Sequence, residues 1–80
     1  MKKNLTKVYE FPVVIEQDEA GYYVAYAPSL QGCYTQGKSL DEALRNIHEV
    51  IELHIEDRRA IRETIPQHKT ISFSSVRVAA

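Results

Sequence analysis

The stretch Gly21–Glu56, GYYVAYAPSLQGCYTQGKSLDEALRNIHEVIELHIE, decides the fold. It reads as strand, short loop, strand and amphipathic helix. Tyr22–Ala27 is rich in aromatic and β-branched side chains, the composition of a strand. Pro28 has a fixed φ that suits a turn, and Leu30 is placed to plug the end of the core. A second short strand covers Cys33–Gln36, with Cys33 and Thr35 on one face and Tyr34 and Gln36 on the other. Ser39 is a good helix N-cap, and Glu42 three residues later completes a capping box. Behind it, Leu40, Ala43, Leu44, Ile47, Val50, Ile51 and His54 recur at helical spacing. Asp41, Glu42, Arg45, Glu49, Glu52 and Glu56 take the opposite face.

Working upstream, residues 6–16 form the first expected strand. Tyr9, Phe11, Val13 and Ile15 alternate onto one face and Glu10 and Glu16 onto the other. Pro12 has no N–H for a ladder, which predicts a bulge or a local edge there. Gln17–Gly21 is the hairpin turn, with Gly21 free to take a positive φ, and residues 1–5 form a loose arm. Downstream, the helix is expected over residues 40–62, with Arg58, Arg59 and Arg62 near its negative end. Pro66 stops it. A last strand is expected over residues 70–78, TISFSSVRV, whose apolar residues change phase between Phe73 and Val76. The order is β-β-β-α-β, an α+β chain of 80 residues forming one domain.

Composition narrows the classes of function. A 44% hydrophobic and 26% charged chain is ordinary for a soluble protein, and no run of apolar residues is long enough to span a membrane. The lysine-bearing N-terminus has no apolar core behind it, so it is not a signal peptide. The one cysteine, Cys33, cannot form an internal disulfide and fits a reducing cytoplasm. A domain this small has marginal stability, which favours association. The net charge of −1 conceals a strong asymmetry. Between Val8 and Asp57 stand ten acidic residues against only Lys38 and Arg45, leaving −8. The other eight basic residues lie near the two ends. Such a centre repels nucleic acid and attracts basic proteins.

Catalytic chemistry finds little support. A carboxylate metal site needs several acids converging at strand ends, and the strand interiors offer only Glu10 and Glu16. No nucleophile elbow of the form G-x-S-x-G occurs. His48 and His54 are six residues apart, not the i, i+4 spacing of a helical metal pair, and His54 falls on the apolar face. Cys33 reads as a small core residue rather than a reactive thiol. Tyr22, Tyr23, Tyr26 and Tyr34 are explained by sheet packing rather than base stacking. No catalytic residue, metal or cofactor is expected.

The run Tyr23–Leu53, YVAYAPSLQGCYTQGKSLDEALRNIHEVIEL, resembles the HicB-type antitoxin family of toxin–antitoxin systems. A tyrosine-rich strand, a P-x-L-x-G-C turn, a Q-G pair, an S-L-x-E-A-L cap and an acidic helix stand in that family's order, and the likeness extends over about residues 6–66. The resemblance implies a prokaryotic antitoxin with a partial ribonuclease H-like fold: a four-stranded mixed sheet of order 3-2-1-4 with one helix on one face. It also implies a partner similar to HicA toxins, small basic RNA-cleaving proteins, whose RNA-binding surface the antitoxin covers. Charge and exposure nominate Glu16, Asp18 and Glu19 with Glu49, Glu52 and Glu56 as the partner-binding residues. A half-covered sheet invites assembly into a homodimer or larger homo-oligomer. Longer family members carry a C-terminal DNA-binding module. This chain stops at Ala80, so direct nucleic-acid binding is not expected. The competing reading is an orphan, self-associating domain without a toxin, either a remnant or a small-ligand binder.

Overall fold

A computed structural model describes residues 7–67 and 72–80. Its elements are β1 (Val14–Gln17), β2 (Tyr23–Tyr26), β3 (Tyr34–Gly37) and α1 (Leu40–Ala60). The strands form one antiparallel sheet in the order β1-β2-β3. Ile15 stands opposite Ala25 and Ala25 opposite Thr35, so these three share a face. That face meets the helix. Ala25, Ala27, Leu30, Cys33, Ala43 and Ile47 form the buried core, with Phe11, Val13, Ile15, Tyr23, Val50 and Ile51 packed around it. The fold is therefore a two-layer α+β arrangement, one helix on one face of the sheet.

Local chemistry explains most element ends. In the β1–β2 turn, the Gly21 amide donates to the Asp18 carbonyl at 3.0 Å and the Tyr22 amide to Asp18 Oδ1 at 2.9 Å. Gly21 takes φ 92°, the left-handed conformation glycine reaches without a Cβ clash. Between β2 and β3, the Leu30 amide donates to Ala27 and the Cys33 amide to Leu30, which tucks Leu30 into the core as expected. The helix starts as its sequence dictates. The Glu42 amide donates to Ser39 Oγ at 3.1 Å, and Glu42 Oε1 reaches back to the Lys38 amide at 2.9 Å. The reciprocal bond lands one residue before the cap, and two amides without helical partners are satisfied.

Four expectations need correction. The first strand begins at Val14 rather than near residue 6. Pro12 cannot donate to a ladder, and among the described residues no backbone hydrogen bond ties Tyr9–Val13 to a neighbour. The alternation was real as a face: Phe11 and Val13 still pack on the core. The helix ends at Ala60, two residues early. There the Glu63 amide donates to the Arg58 carbonyl at 2.7 Å and the Arg62 amide to the Arg59 carbonyl at 3.2 Å. This is a Schellman closure with Arg62 at φ 59°, where glycine is usual. Leu40 and Leu44 belong to the apolar stripe, yet they are 48% and 45% exposed, because the helix packs mainly over β3 and β2.

The fourth correction concerns the last strand. Among the described residues the sheet has three strands, and Ser72–Ala80 joins none of them. Residues 70 and 71 of the expected strand lie outside the described residues, as does the expected arm over residues 1–5. Phe73, Val76 and Val78 are 86%, 83% and 78% exposed, so this segment has the side chains of a strand without a sheet beside it.

Candidate partner-binding surfaces

The two faces of the sheet have opposite characters. On the face turned from the helix, Val14, Tyr26 and Tyr34 stand in one cross-strand row and Glu16, Val24 and Gln36 in the next. Period two puts them there: each alternates with a residue of the helix-facing side. No element covers this face among the described residues, and Tyr34 is 69% exposed. A shallow depression of about 420 Å³ runs from Val24 and Tyr26 to Tyr34 and the Pro28–Cys33 loop. Aromatic residues with a polar rim are the composition of a protein-contact surface.

The expected acidic residues divide into two groups. Glu16 is exposed on the uncovered face of β1. Asp18 and Glu19 follow in the adjoining turn, where Asp18 also holds the Tyr22 amide. Glu49, Glu52 and Glu56 are exposed on α1. Ile47 of that helix points at the sheet, and positions two, five and nine residues later lie on its far side. The structure thus brings together Glu16, Asp18 and Glu19 on one side and the three helix glutamates on the other. It does not join the two groups into one surface. His48 Nδ1 lies 3.3 Å from Glu52 Oε1, a surface contact with little energetic weight.

Period two alone puts Val14, Val24 and Tyr26 on the uncovered face. Tyr34 joins the row of Val14 and Tyr26 through the β2–β3 register, which puts it opposite Tyr26. Cys33 is 2% exposed, and burial pushes its thiol above the ordinary value, so the less reactive protonated form is favoured. Among the described residues no three His, Cys, Asp or Glu side chains gather where a metal could sit, and no helix is long and apolar enough to cross a membrane.

The family described as HicB_like antitoxin of bacterial toxin-antitoxin system matches residues 11–77. A UPF0150 protein of Archaeoglobus fulgidus is 50% identical over 54 residues, which are 68% of this chain and 78% of that one. A UPF0150 protein of Thermoplasma acidophilum is 48% identical over 58 residues, 72% of this chain and 84% of that one. A UPF0150 protein of Helicobacter pylori is 46% identical over 66 residues, 82% of this chain and 90% of that one. In fold, the chain resembles the crystal structure of the N-terminal domain of the Burkholderia pseudomallei antitoxin HicB. The TM-score is 0.67 at 24% identity, covering 76% of this chain and 72% of that one. By the match across residues 11–77, the chain belongs to the HicB-like antitoxin family.

Proposed function

We propose that the chain is an antitoxin that binds a small basic RNA-cleaving toxin of the HicA kind and neutralises it by covering its RNA-binding surface. The observation that carries this reading is the family match over residues 11–77. The charge of residues 8–57 supports the sign of the partner: ten acidic side chains against two basic ones. An acidic protein meets a cationic RNA-binding surface quickly, because opposite fields steer the encounter. Apolar contacts then slow release. The chain acts by binding and catalyses nothing itself. Its setting is the prokaryotic cytoplasm, and it works as a homodimer or larger assembly in which a fourth strand completes a ribonuclease H-like sheet.

For the contact itself we favour Glu16, which stands opposite Val24 on the uncovered face, with Asp18 and Glu19 of the adjoining turn. Glu49, Glu52 and Glu56 form a second acidic surface on the other side. Capture of the toxin by the tagged chain tests this at increasing salt. A small basic protein, held stoichiometrically and released at high salt, supports the reading. Lys replacement of the two acidic groups, one group at a time, then locates the contact. Recovery of the chain alone in the presence of the candidate toxin speaks for an orphan domain.

A further inference from the structure

The acidic excess of residues 8–57 has a basic counterpart at the far end of the helix. Residues 58–80 carry five basic side chains and one acidic one, Glu63. Where α1 ends, the chain turns back and leaves an open concavity of about 400 Å³. Lys7, Arg59 and Arg62 line it together with Tyr9, Glu63 and Ile65. A residue ahead of the sheet thus joins two from the end of the helix around one space.

Basic residues at a helix end commonly serve its last carbonyls or pair with acids. Here other groups fill both roles. The Asp57, Arg58 and Arg59 carbonyls accept the backbone amides of Ile61, Glu63 and Arg62. Glu63 is engaged by Arg58, whose Nη1 lies 3.6 Å from Glu63 Oε2 and also donates to the Thr64 carbonyl at 3.3 Å. Among the described residues, the side chains of Arg59 and Arg62 enter no hydrogen bond or ion pair, and Lys7 contacts the Tyr9 ring, 5.1 Å from its centre. Arg62 adds a second observation. Its φ of 59° is a conformation that glycine would take at lower cost. Backbone strain of this kind gathers where a particular side chain is needed.

We propose that this concavity binds a small molecule through a phosphate group, a ligand of mononucleotide size. The planar fork of arginine matches phosphate oxygens, and lysine adds a point charge. The helix end opposes an anion with a partial charge of about −0.5, which three cations outweigh. Three cations also suit a phosphate dianion better than a single carboxylate. The half-buried Tyr9 and Ile65 give the rest of the ligand an apolar wall. The volume falls within the range of small-molecule sites, roughly 300–1,000 Å³. A long polyanion is disfavoured, because the −8 of residues 8–57 repels whatever extends past the basic end. The concavity shares no residue with the depression on the uncovered sheet face, so it goes beyond the proposed function and does not depend on it.

Titration calorimetry of the full chain at low salt tests this, with no toxin present. The probes are adenosine 5′-monophosphate, adenosine, inorganic phosphate and a short 5′-phosphorylated RNA. The monophosphate should bind with a dissociation constant below about 1 mM, inorganic phosphate more weakly and adenosine not at all. Arg62→Gly is the telling variant, since glycine suits the backbone there. It should weaken binding of the monophosphate at least about tenfold while the melting temperature holds or rises. Arg59→Ala should cost as much, and Arg77→Ala, outside the concavity, should change nothing. No binding of the monophosphate, or binding that survives both Arg59→Ala and Arg62→Gly, overturns the site. An equal loss in Arg77→Ala overturns it in favour of diffuse charge attraction. Tighter binding of the RNA than of the monophosphate overturns the assignment to a small ligand.

Discussion

Gly37 shows how one missing atom joins the layers. A Cβ built there would lie 2.6 Å from the Ala43 nitrogen and 2.9 Å from the Glu42 carbonyl carbon, both backbone atoms. Backbone cannot swing aside as a flexible side chain can, so β3 meets the helix start only through a glycine. Gly37→Ala should cost about 1–3 kcal/mol in a denaturant melt, as overpacking does. A variant of unchanged stability would contradict this close approach. Cys33 makes a second prediction at this scale. Buried and with a raised thiol pKa, it should resist thiol reagents in the native chain and react fully once unfolded. The sign of the linkage follows. The unfolded thiol titrates near its ordinary value of 9.0 and the folded one higher. The stability this group contributes is whole below the unfolded value and is lost as pH rises through the folded one. A melt series from neutral pH to above pH 9.0 should show that decline, and Cys33→Ala should remove this part of it.

At the scale of elements, the helix start is the firmest feature. Ser39→Ala should destabilise the chain by about 1 kcal/mol, measured by thermal or chemical melting. The far end carries stored cost, because Arg62 occupies a left-handed position without being glycine. Arg62→Gly should stabilise by roughly 1 kcal/mol, and a loss of stability would mean the arginine side chain contributes more than the backbone costs. These two ends explain what the sequence made legible. Ser39 and Glu42 announce the start because capping is a local reaction between neighbours. Nothing in Ile61-Arg62-Glu63 announces the stop, since an arginine at positive φ leaves no compositional mark. Alternation told that Phe11, Val13 and Ile15 face the core, although Tyr9, expected on the same face, stacks on Phe11 outside it. It could not tell which amides would find a partner, and so β1 came out shorter than the apolar pattern. The same limit applies to Phe73–Val78: apolar spacing marks a strand-forming segment, but pairing depends on what lies beside it.

At the scale of the whole molecule, charge was legible as a sum and not as a map. The acidic excess of residues 8–57 is plain in the sequence, but only the two-layer arrangement puts Glu16, Asp18 and Glu19 on one side and Glu49, Glu52 and Glu56 on the other. A small partner bound on one side should therefore respond to one group more than to the other. We expect Glu16→Lys, Asp18→Lys and Glu19→Lys together to weaken toxin binding at least tenfold at low salt. The helix triple variant should have the smaller effect, and the difference should narrow as salt screens the surface. Equal losses from both triples would remove the assignment to the sheet side. The measurement that bears most directly on the antitoxin reading is RNA cleavage by a small basic toxin of the HicA kind, assayed with and without the purified chain. An antitoxin leaves cleavage by the partner alone intact and suppresses it stoichiometrically as the chain is added. Cleavage that continues undiminished with the chain in excess would contradict that reading.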